Sequence, residues 1–422
     1  MTNRTTPLMA ASLLALAVAA PTAALAGGLA VREQSTQFQG TSFAGSGAGG
    51  GLSSSFWNSA AIGEAGSGLS TDSSYSLIFG QTNFTALPGT VAIGGARETD
   101  QDGLAFVGAS YAAYRLNERT VFGVAINAPF GLSSKVDDQN WVGRLHDRSA
   151  KLITANVNPM MSYELMRGLH VGFGFQFQYA KLTFKTANSA AASPPSATLI
   201  GDDVGAGFTA GVLWKPAAGT SIGLGYRSAV QHSIDGKVYN TGLPQGTPFQ
   251  LGITTPDMVT LSLRQSLSAQ ARLLATVEWA HWDRLNVHPV KTSFGTISNF
   301  DFRWKDGWHF ALGGEYDLNS QTTLRAGAAY EISPVDEPSQ RLPQAPDADR
   351  IWLSAGMTYK LSPTTTLSAA YSHIFIDDSQ LNRRPANGAA APLIADVESS
   401  VDIISLGYTM KWGGAEDRAP LK

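Results

Sequence analysis

The sequence predicts an all-β fold: a transmembrane antiparallel β-barrel of about 14 strands plugged by an N-terminal hatch. Three observations lead there. Hydrophobicity alternates with a period of two along most of the chain, connections alternate between short and long, and no apolar run of about 18 residues follows the N-terminus. Only 15% of the 422 residues are charged, 44 are glycine, and the mean hydropathy is -0.05, so apolar residues are dispersed by alternation rather than gathered into helices.

Residues 1–26 read as a cleaved secretory signal peptide. Arg4 supplies positive charge, Leu8 to Ala20 an apolar run, and Ala24-Leu25-Ala26 a small-x-small cleavage site before Gly27. The chain has no cysteine, which leaves no lipobox, disulfide framework or thiolate site. Residues 27–70 are rich in Gly, Ser and Ala, with scattered Phe38, Phe43, Phe56 and Trp57 and no sustained period. Interspersed aromatics and small residues suit a compact coil packed inside something larger, so this stretch is expected to be the hatch.

Residues 71–412 are expected to form the barrel and 413–422 a short tail. The clearest strand is 169–184, where Leu169, Val171, Phe173, Phe175, Phe177 and Tyr179 share one parity. His170, Gly172, Gly174, Gln176, Gln178 and Ala180 share the other. A polar face made of glycine, alanine and glutamine suits a crowded lumen better than open water. Further strands are read at 73–81, 104–115, 119–128, 151–165, 202–214, 219–233, 257–266, 270–286, 300–316, 321–332, 350–361, 364–376 and 399–412. Short links such as Leu116-Asn117-Glu118 alternate with long loops at 82–103, 129–150, 185–201, 234–256 and 377–398, the rhythm of periplasmic turns and outer loops. Arg227, Arg264, Arg325 and Lys411 sit opposite the large apolar residues and are assigned to the lumen, because an arginine facing lipid at mid-bilayer costs about 2–4 kcal/mol.

Composition and motifs exclude several functions. A net charge of -3 gives no nucleic-acid footprint, and no propeller repeat of about 40–45 residues recurs. His281 and His288 have no metal-ligand spacing, and neither a Gly-x-Ser-x-Gly elbow nor a phosphate loop is present. No catalytic residue, metal or cofactor is therefore assigned, although Ser372-His373 and His309 keep an outer-membrane lipase as one alternative and a general porin as another. Asn127-Ala128-Pro129-Phe130-Gly131-Leu132 ends or kinks the third strand, since Pro129 cannot donate to a ladder and Gly131 tolerates a bend. The kink either opens a loop or leaves a gap in the barrel wall.

Several segments resemble the FadL-type outer-membrane transporters of long-chain fatty acids and hydrophobic compounds. They are Trp304-Lys305-Asp306-Gly307-Trp308-His309-Phe310-Ala311-Leu312-Gly313, Leu324 to Tyr330, Ser333-Pro334-Val335 and Pro346 to Gly356. Trp141-Val142-Gly143-Arg144, Asn156-Val157-Asn158-Pro159 with Tyr163, and Tyr179 to Leu182 support them. The resemblance implies a 14-stranded barrel in a Gram-negative outer membrane, closed by a hatch whose Asn-Pro-Ala motif is here Asn58-Ser59-Ala60. It also implies a kinked third strand that opens a lateral passage, placing Asn127, Pro129 and Gly131 at a gate.

Mechanism follows from the cargo: an apolar tail gains about 0.8 kcal/mol per buried methylene, so an apolar passage lowers the barrier that a wet pore would raise. A cation at one end would hold a carboxylate. Lys305, Arg350 and Lys181 are the candidates, the first two inward by parity, while Lys181 shares the outward parity of Phe177 and Tyr179 and needs either a bulge or a place above the membrane rim. Each basic residue has a competing assignment as a lumenal ion pair with Glu278, Glu315 or Glu331. Ligand entry is expected near Phe130, Trp141, Arg144 and the apolar residues of 234–256. Transport is expected to be passive, with a long-chain fatty acid or other hydrophobic molecule and membrane lipid as partners, and the barrel a monomer.

Overall fold

The computed structural model describes residues 28–412 apart from 102, 192 and 385–391. The expected signal peptide (1–26) and tail (413–422) lie outside the described residues. Fourteen strands close an antiparallel barrel. In chain order they are β1 (Leu69–Ala86), β2 (Gly103–Arg115), β3 (Thr120–Asn127 and Gly131–Lys135), β4 (Ser149–Met166), β5 (Leu169–Ala187), β6 (Ser196–Ala217) and β7 (Thr220–Arg227 and Gln231–Tyr239). There follow β8 (Thr247–Thr254 and Met258–Ser266), β9 (Ala271–Ala280 and Val287–Thr292), β10 (Gly295–Asp301 and Gly307–Asp317), β11 (Thr322–Ile332), β12 (Arg350–Ser362), β13 (Thr365–Ile376 and Ser379–Arg383) and β14 (Leu393–Trp412). β14 closes onto β1 from Leu69↔Trp412 to Ala86↔Ala395, so this seam leaves no free edge.

The two faces read from the sequence are the faces of the wall. Phe173, Phe175 and Phe177 are 44%, 56% and 52% exposed toward lipid, while Gln176 and Gln178 are buried in the lumen. Arg227 and Arg325 also lie inside, and Arg264, Arg272 and Arg325 surround Glu315 at 2.8–2.9 Å.

The expected long loops are shorter than read. Residues 234–256 are mostly strand, with β7 and β8 paired from Gln231↔Thr254 to Val238↔Thr247. Likewise β5 runs to Ala187, β1 to Ala86 and β14 from Leu393. Ser, Asp, Gly and Pro punctuate these outer ends and hide their alternation, yet Ile234, Phe249, Leu251 and Val290 still form a buried apolar cluster there.

Residues 28–64, the segment expected to be the hatch, lie inside the barrel against its wall. Ser35 caps the short helix Thr36–Gln39 by accepting from Phe38 N, and single 3-10 turns follow at Leu52–Phe56 and Ser59–Glu64. Phe38, Phe43 and Phe56 gather around Trp57 with ring centroids 5.0–5.8 Å apart, which explains aromatics without a period: they face one another inside the plug. Polar groups of the wall satisfy the irregular backbone. Gly45 N donates to Thr276 Oγ1 (2.9 Å), Gly47 N to Ser262 Oγ (2.9 Å) and Thr36 N to Ser74 Oγ (3.0 Å), while Ser162 and Ser221 hydroxyls donate to Ala60 and Ala48 carbonyls.

Inward glycines allow this contact. A Cβ on Gly225 would stand 1.7 Å from Trp57 O, one on Gly223 1.8 Å from Gly47 O, and one on Gly327 2.1 Å from Thr41 O. Gly225→Ala is therefore expected to displace the hatch and raise ion conductance in planar bilayers. Gly252→Ala, whose Cβ meets nothing within 4 Å, should conduct as the parent does. A sealed Gly225→Ala barrel would contradict the close plug contact.

Candidate functional site: a wall gap, an aromatic chamber and a charged latch

Pro129 has no N–H, and β3 breaks at 128–130. The inner half of β3 pairs with β2 only from Ser110↔Ile126 to Arg115↔Val121, and the outer half pairs with β4 from Gly131↔Ile153. Gly103 to Ala109 of β2 is thus laddered to β1 on one side, with no β3 register partner on the other among the described residues. The hatch terminus fills part of that breach. Val31 N donates to Pro129 O and Gly131 N to Leu29 O, both at 2.9 Å, making Ala30 and Phe130 an antiparallel bridge. Gln34 Nε2 adds bonds to Ala128 O and Val31 O at 2.9 Å.

Behind the gap lies a close-packed cluster of buried apolar side chains, the aromatic chamber. Phe130 meets Trp282 edge to face (5.9 Å), Trp282 meets Trp304 (5.6 Å) and Trp304 meets Phe302 (5.1 Å), with Leu29, Leu132 and Met258 packed alongside. Backbone breaks aim these rings inward. Trp282 begins a one-turn 3-10 segment between the halves of β9, and Phe302 and Trp304 flank Arg303, whose φ is 48°, between the halves of β10. Gly28 lies so near the Trp282 indole that a Cβ would approach it to 2.9 Å, so chamber and hatch terminus touch.

The hatch terminus is held by charge. Arg32 donates to Glu278 at 2.6 Å and to Glu331 at 2.8 and 3.1 Å, with all three side chains buried. Glu278 also accepts from Thr260 and Glu331 from Trp352 Nε1, both at 3.0 Å, so the carboxylates are well partnered. Gly28 N donates to Asp347 Oδ2 at 3.0 Å, and Ser333 Oγ to the same atom at 2.6 Å. Asp347 in turn pairs with Arg350, so the inward-folded segment 333–349 is tied to the start of the hatch. Burial pushes the Glu33 carboxyl up to about 7, opposed by backbone hydrogen bonds and by Arg32, and its Oε2 has no hydrogen-bond partner.

The expected site residues separate. Phe130 lies in the chamber, and Asn127, Pro129 and Gly131 frame the break. Arg350 is buried and inward, but it is engaged with Asp347 and Glu331. Lys305 lies in 302–306, which is not strand, so parity does not fix its direction; its side chain is 66% exposed and paired with Asp336 of the inward-folded segment. Lys181 keeps the outward parity of Tyr179 without a register shift, opposite Asp202, so no bulge turns it into the lumen.

Trp141 and Arg144 belong to a different cluster from the chamber. Trp141 packs on Phe84 (5.4 Å) and donates to Asp147 O, while Arg144 binds carbonyls of Ile93, Gly94, Asn140, Trp141, Ala190 and Ala191, stapling the outer segments together. Asn58 Oδ1 accepts from Ala60 N and its Nδ2 donates to Gly47 O (2.8 Å) and Val212 O (2.9 Å), so it caps the turn and anchors it to β6 without the proline; Ser59 and Ala60 are buried beside it.

Sequence reasoning missed Arg32, Trp282 and Asp347. A signal existed for Arg32, because Arg32 and Glu33 are the only charged residues between Gly28 and Gly63. Ser372 and His373 do not form a dyad: Ser372 bonds Ser354 on the inner face and His373 bonds Asp402 on the other. Among the described residues no group of three or more His, Asp or Glu could hold a metal ion.

Comparison with known proteins agrees with this architecture. A curated long-chain fatty acid transport protein of Escherichia coli O6:H1 is 28% identical over 61% of this chain and 67% of its own length. Outer membrane protein P1 of Haemophilus influenzae is 27% identical over 64% and 66%. The chain therefore spans about two thirds of the length of these relatives. Among solved structures, a Pseudomonas aeruginosa FadL homologue superposes with a TM-score of 0.83 at 21% identity, covering 92% of this chain and all of that one. The Pseudomonas putida toluene transporter TodX superposes with a TM-score of 0.67 at 14% identity over 86% and 95%. Residues 16–412 match the family of outer membrane protein transport proteins (OMPP1/FadL/TodX), and the chain belongs to that family of outer-membrane transporters of hydrophobic compounds.

Proposed function

We propose that the barrel takes up long-chain fatty acids or similar hydrophobic molecules passively across the outer membrane, by binding in the aromatic chamber, displacing the hatch terminus and leaving sideways through the break in β3. The observation that carries this reading is that Leu29 to Val31 occupies the break while Leu29 and Ala30 also pack into the chamber. A ligand that competes for Phe130 and Trp282 removes the segment that covers the exit. An apolar tail gains about 0.8 kcal/mol for each methylene moved from water onto such a surface, and a lateral exit delivers it to lipid without recrossing water. The names of the relatives point to fatty acids and of the structural neighbours to toluene, and an aromatic-lined chamber suits either tail or ring.

A disulfide tests the route in a chain that has no other cysteine. Ala30→Cys with Phe130→Cys joins bridge partners, whose Cα atoms stand about 4.5 Å apart in a non-hydrogen-bonded pair. The oxidised protein is expected to lose uptake and to regain it on reduction. Undiminished uptake in the cross-linked form would refute exit through the break.

The latch gives two further outcomes. Arg32→Ala leaves buried Glu278 without its cation and Glu331 with Arg350 alone, a loss of about 3–5 kcal/mol, and should make the hatch amides exchange faster and the barrel leak ions. Unchanged exchange would remove Arg32 from the latch. Glu33, raised from 4.5 to about 7, holds a proton in the folded state that an unfolded hatch releases, so its stabilising contribution is full below about pH 4.5 and fades as pH rises to about 7. Hatch protection in the parent relative to Glu33→Gln should therefore fall across that window, and a constant ratio would contradict the assignment.

A further inference from the structure

Three amides make one transverse row beneath the break. Asn127 of β3 lies directly opposite Asn156 of β4, which lies directly opposite Gln178 of β5. They are 3%, 0% and 0% exposed, and Asn127 immediately precedes the first residue of the break. Their hydrogen bonding is incomplete. Asn156 Nδ2 donates to Asn127 Oδ1 at 3.2 Å, and Gln178 Oε1 bonds His232 Nε2 at 3.0 Å, whose Nδ1 bonds Asp203. Asn127 Nδ2, Asn156 Oδ1 and Gln178 Nε2 have no partner, nor does Oε1 of Gln34, the hatch residue that binds Ala128 O. Buried amide groups are ordinarily satisfied, so a row of open valences beside a passage calls for a guest.

We propose that Asn127, Asn156 and Gln178 form a subsite for the uncharged head group of a substrate on its way to the break, namely a protonated carboxyl. The inference rests on the exit route proposed above. Two open N–H donors and one open acceptor match that group: its carbonyl oxygen accepts from Asn127 or Gln178, and its hydroxyl donates to Asn156 Oδ1. A carboxylate has no proton for Asn156, and a hydrocarbon offers neither a donor nor a strong acceptor. Rotating an amide exchanges its donor and acceptor ends, yet the row still presents both kinds. Titratable neighbours sit at its margins: the His232–Asp203 pair beyond Gln178, and Arg227, which bonds Gln176 one step along the same face and Phe56 O of the hatch. The row thus gives the head a polar stop while the tail remains among Phe130, Leu132 and Trp282.

The test uses the full chain in cells that depend on it for uptake of palmitic acid and of toluene. Asn156→Leu and Gln178→Met replace an amide by an apolar group of similar size, and heat-modifiable gel migration reports that each barrel is folded. Each variant is expected to take up palmitic acid at least tenfold more slowly and toluene within twofold of the parent. Equal losses of both compounds, normal palmitic acid uptake in both variants, or a parent that carries toluene alone would overturn the subsite. A parent that carries neither compound would instead overturn the transport reading on which the subsite stands. Gln178→Met decides the matter if Asn156→Leu does not fold.

Discussion

The structure depends on a constraint imposed by lipid: every backbone N–H and C=O in the wall needs a partner. Thirteen of the fourteen seams can be followed as ladders along the described strands, and the seam between β2 and β3 is only half made. Pro129 ends the ladder, and the protein supplies two of the missing partners from within, through Val31 N to Pro129 O and Gly131 N to Leu29 O. A breach sealed by a separate segment can be opened without breaking the barrel itself. Two backbone bonds, each worth about 0.5–1.5 kcal/mol net, are a modest barrier beside the burial of a long apolar tail.

The hatch is fixed by three kinds of contact of unequal strength. Serine and threonine hydroxyls of the wall satisfy its backbone, glycines such as Gly223 and Gly225 let that backbone lie against the strands, and Arg32 pins its start to Glu278 and Glu331. The first two are spread over residues 36–61. The charged latch acts near the terminus alone, where Gly28, Leu29 and Ala30 also meet the chamber. Local stability can therefore differ within one plug, firm around Trp57 and changeable at Leu29 to Val31.

Much of the fold was legible because the barrel writes its faces into alternate residues. The parity of Phe173, Phe175 and Phe177 against Gln176 and Gln178 is the orientation of β5, and the aromatics without period in 27–70 are the plug's own core. Parity failed where the backbone leaves the strand. Counting parity through 302–306 cannot orient Lys305, because that segment is not strand and Arg303 adopts φ 48°. Trp282 escapes the parity pattern for the same reason, since a 3-10 turn there replaces the expected strand. The latch was hidden by distance: Arg32 meets Glu278 and Glu331 across 246 and 299 residues, a pairing that no local pattern encodes.

Hydrogen exchange at the seal, followed with and without ligand, addresses the central claim directly. The Val31 and Gly131 amides should lose protection when palmitic acid or toluene is added, while those of Asn58 and Ala61 in the body of the hatch stay protected. If both seal amides remained equally protected in a protein that is carrying substrate, the hatch terminus would not be the moving part and the break in β3 would not be the exit.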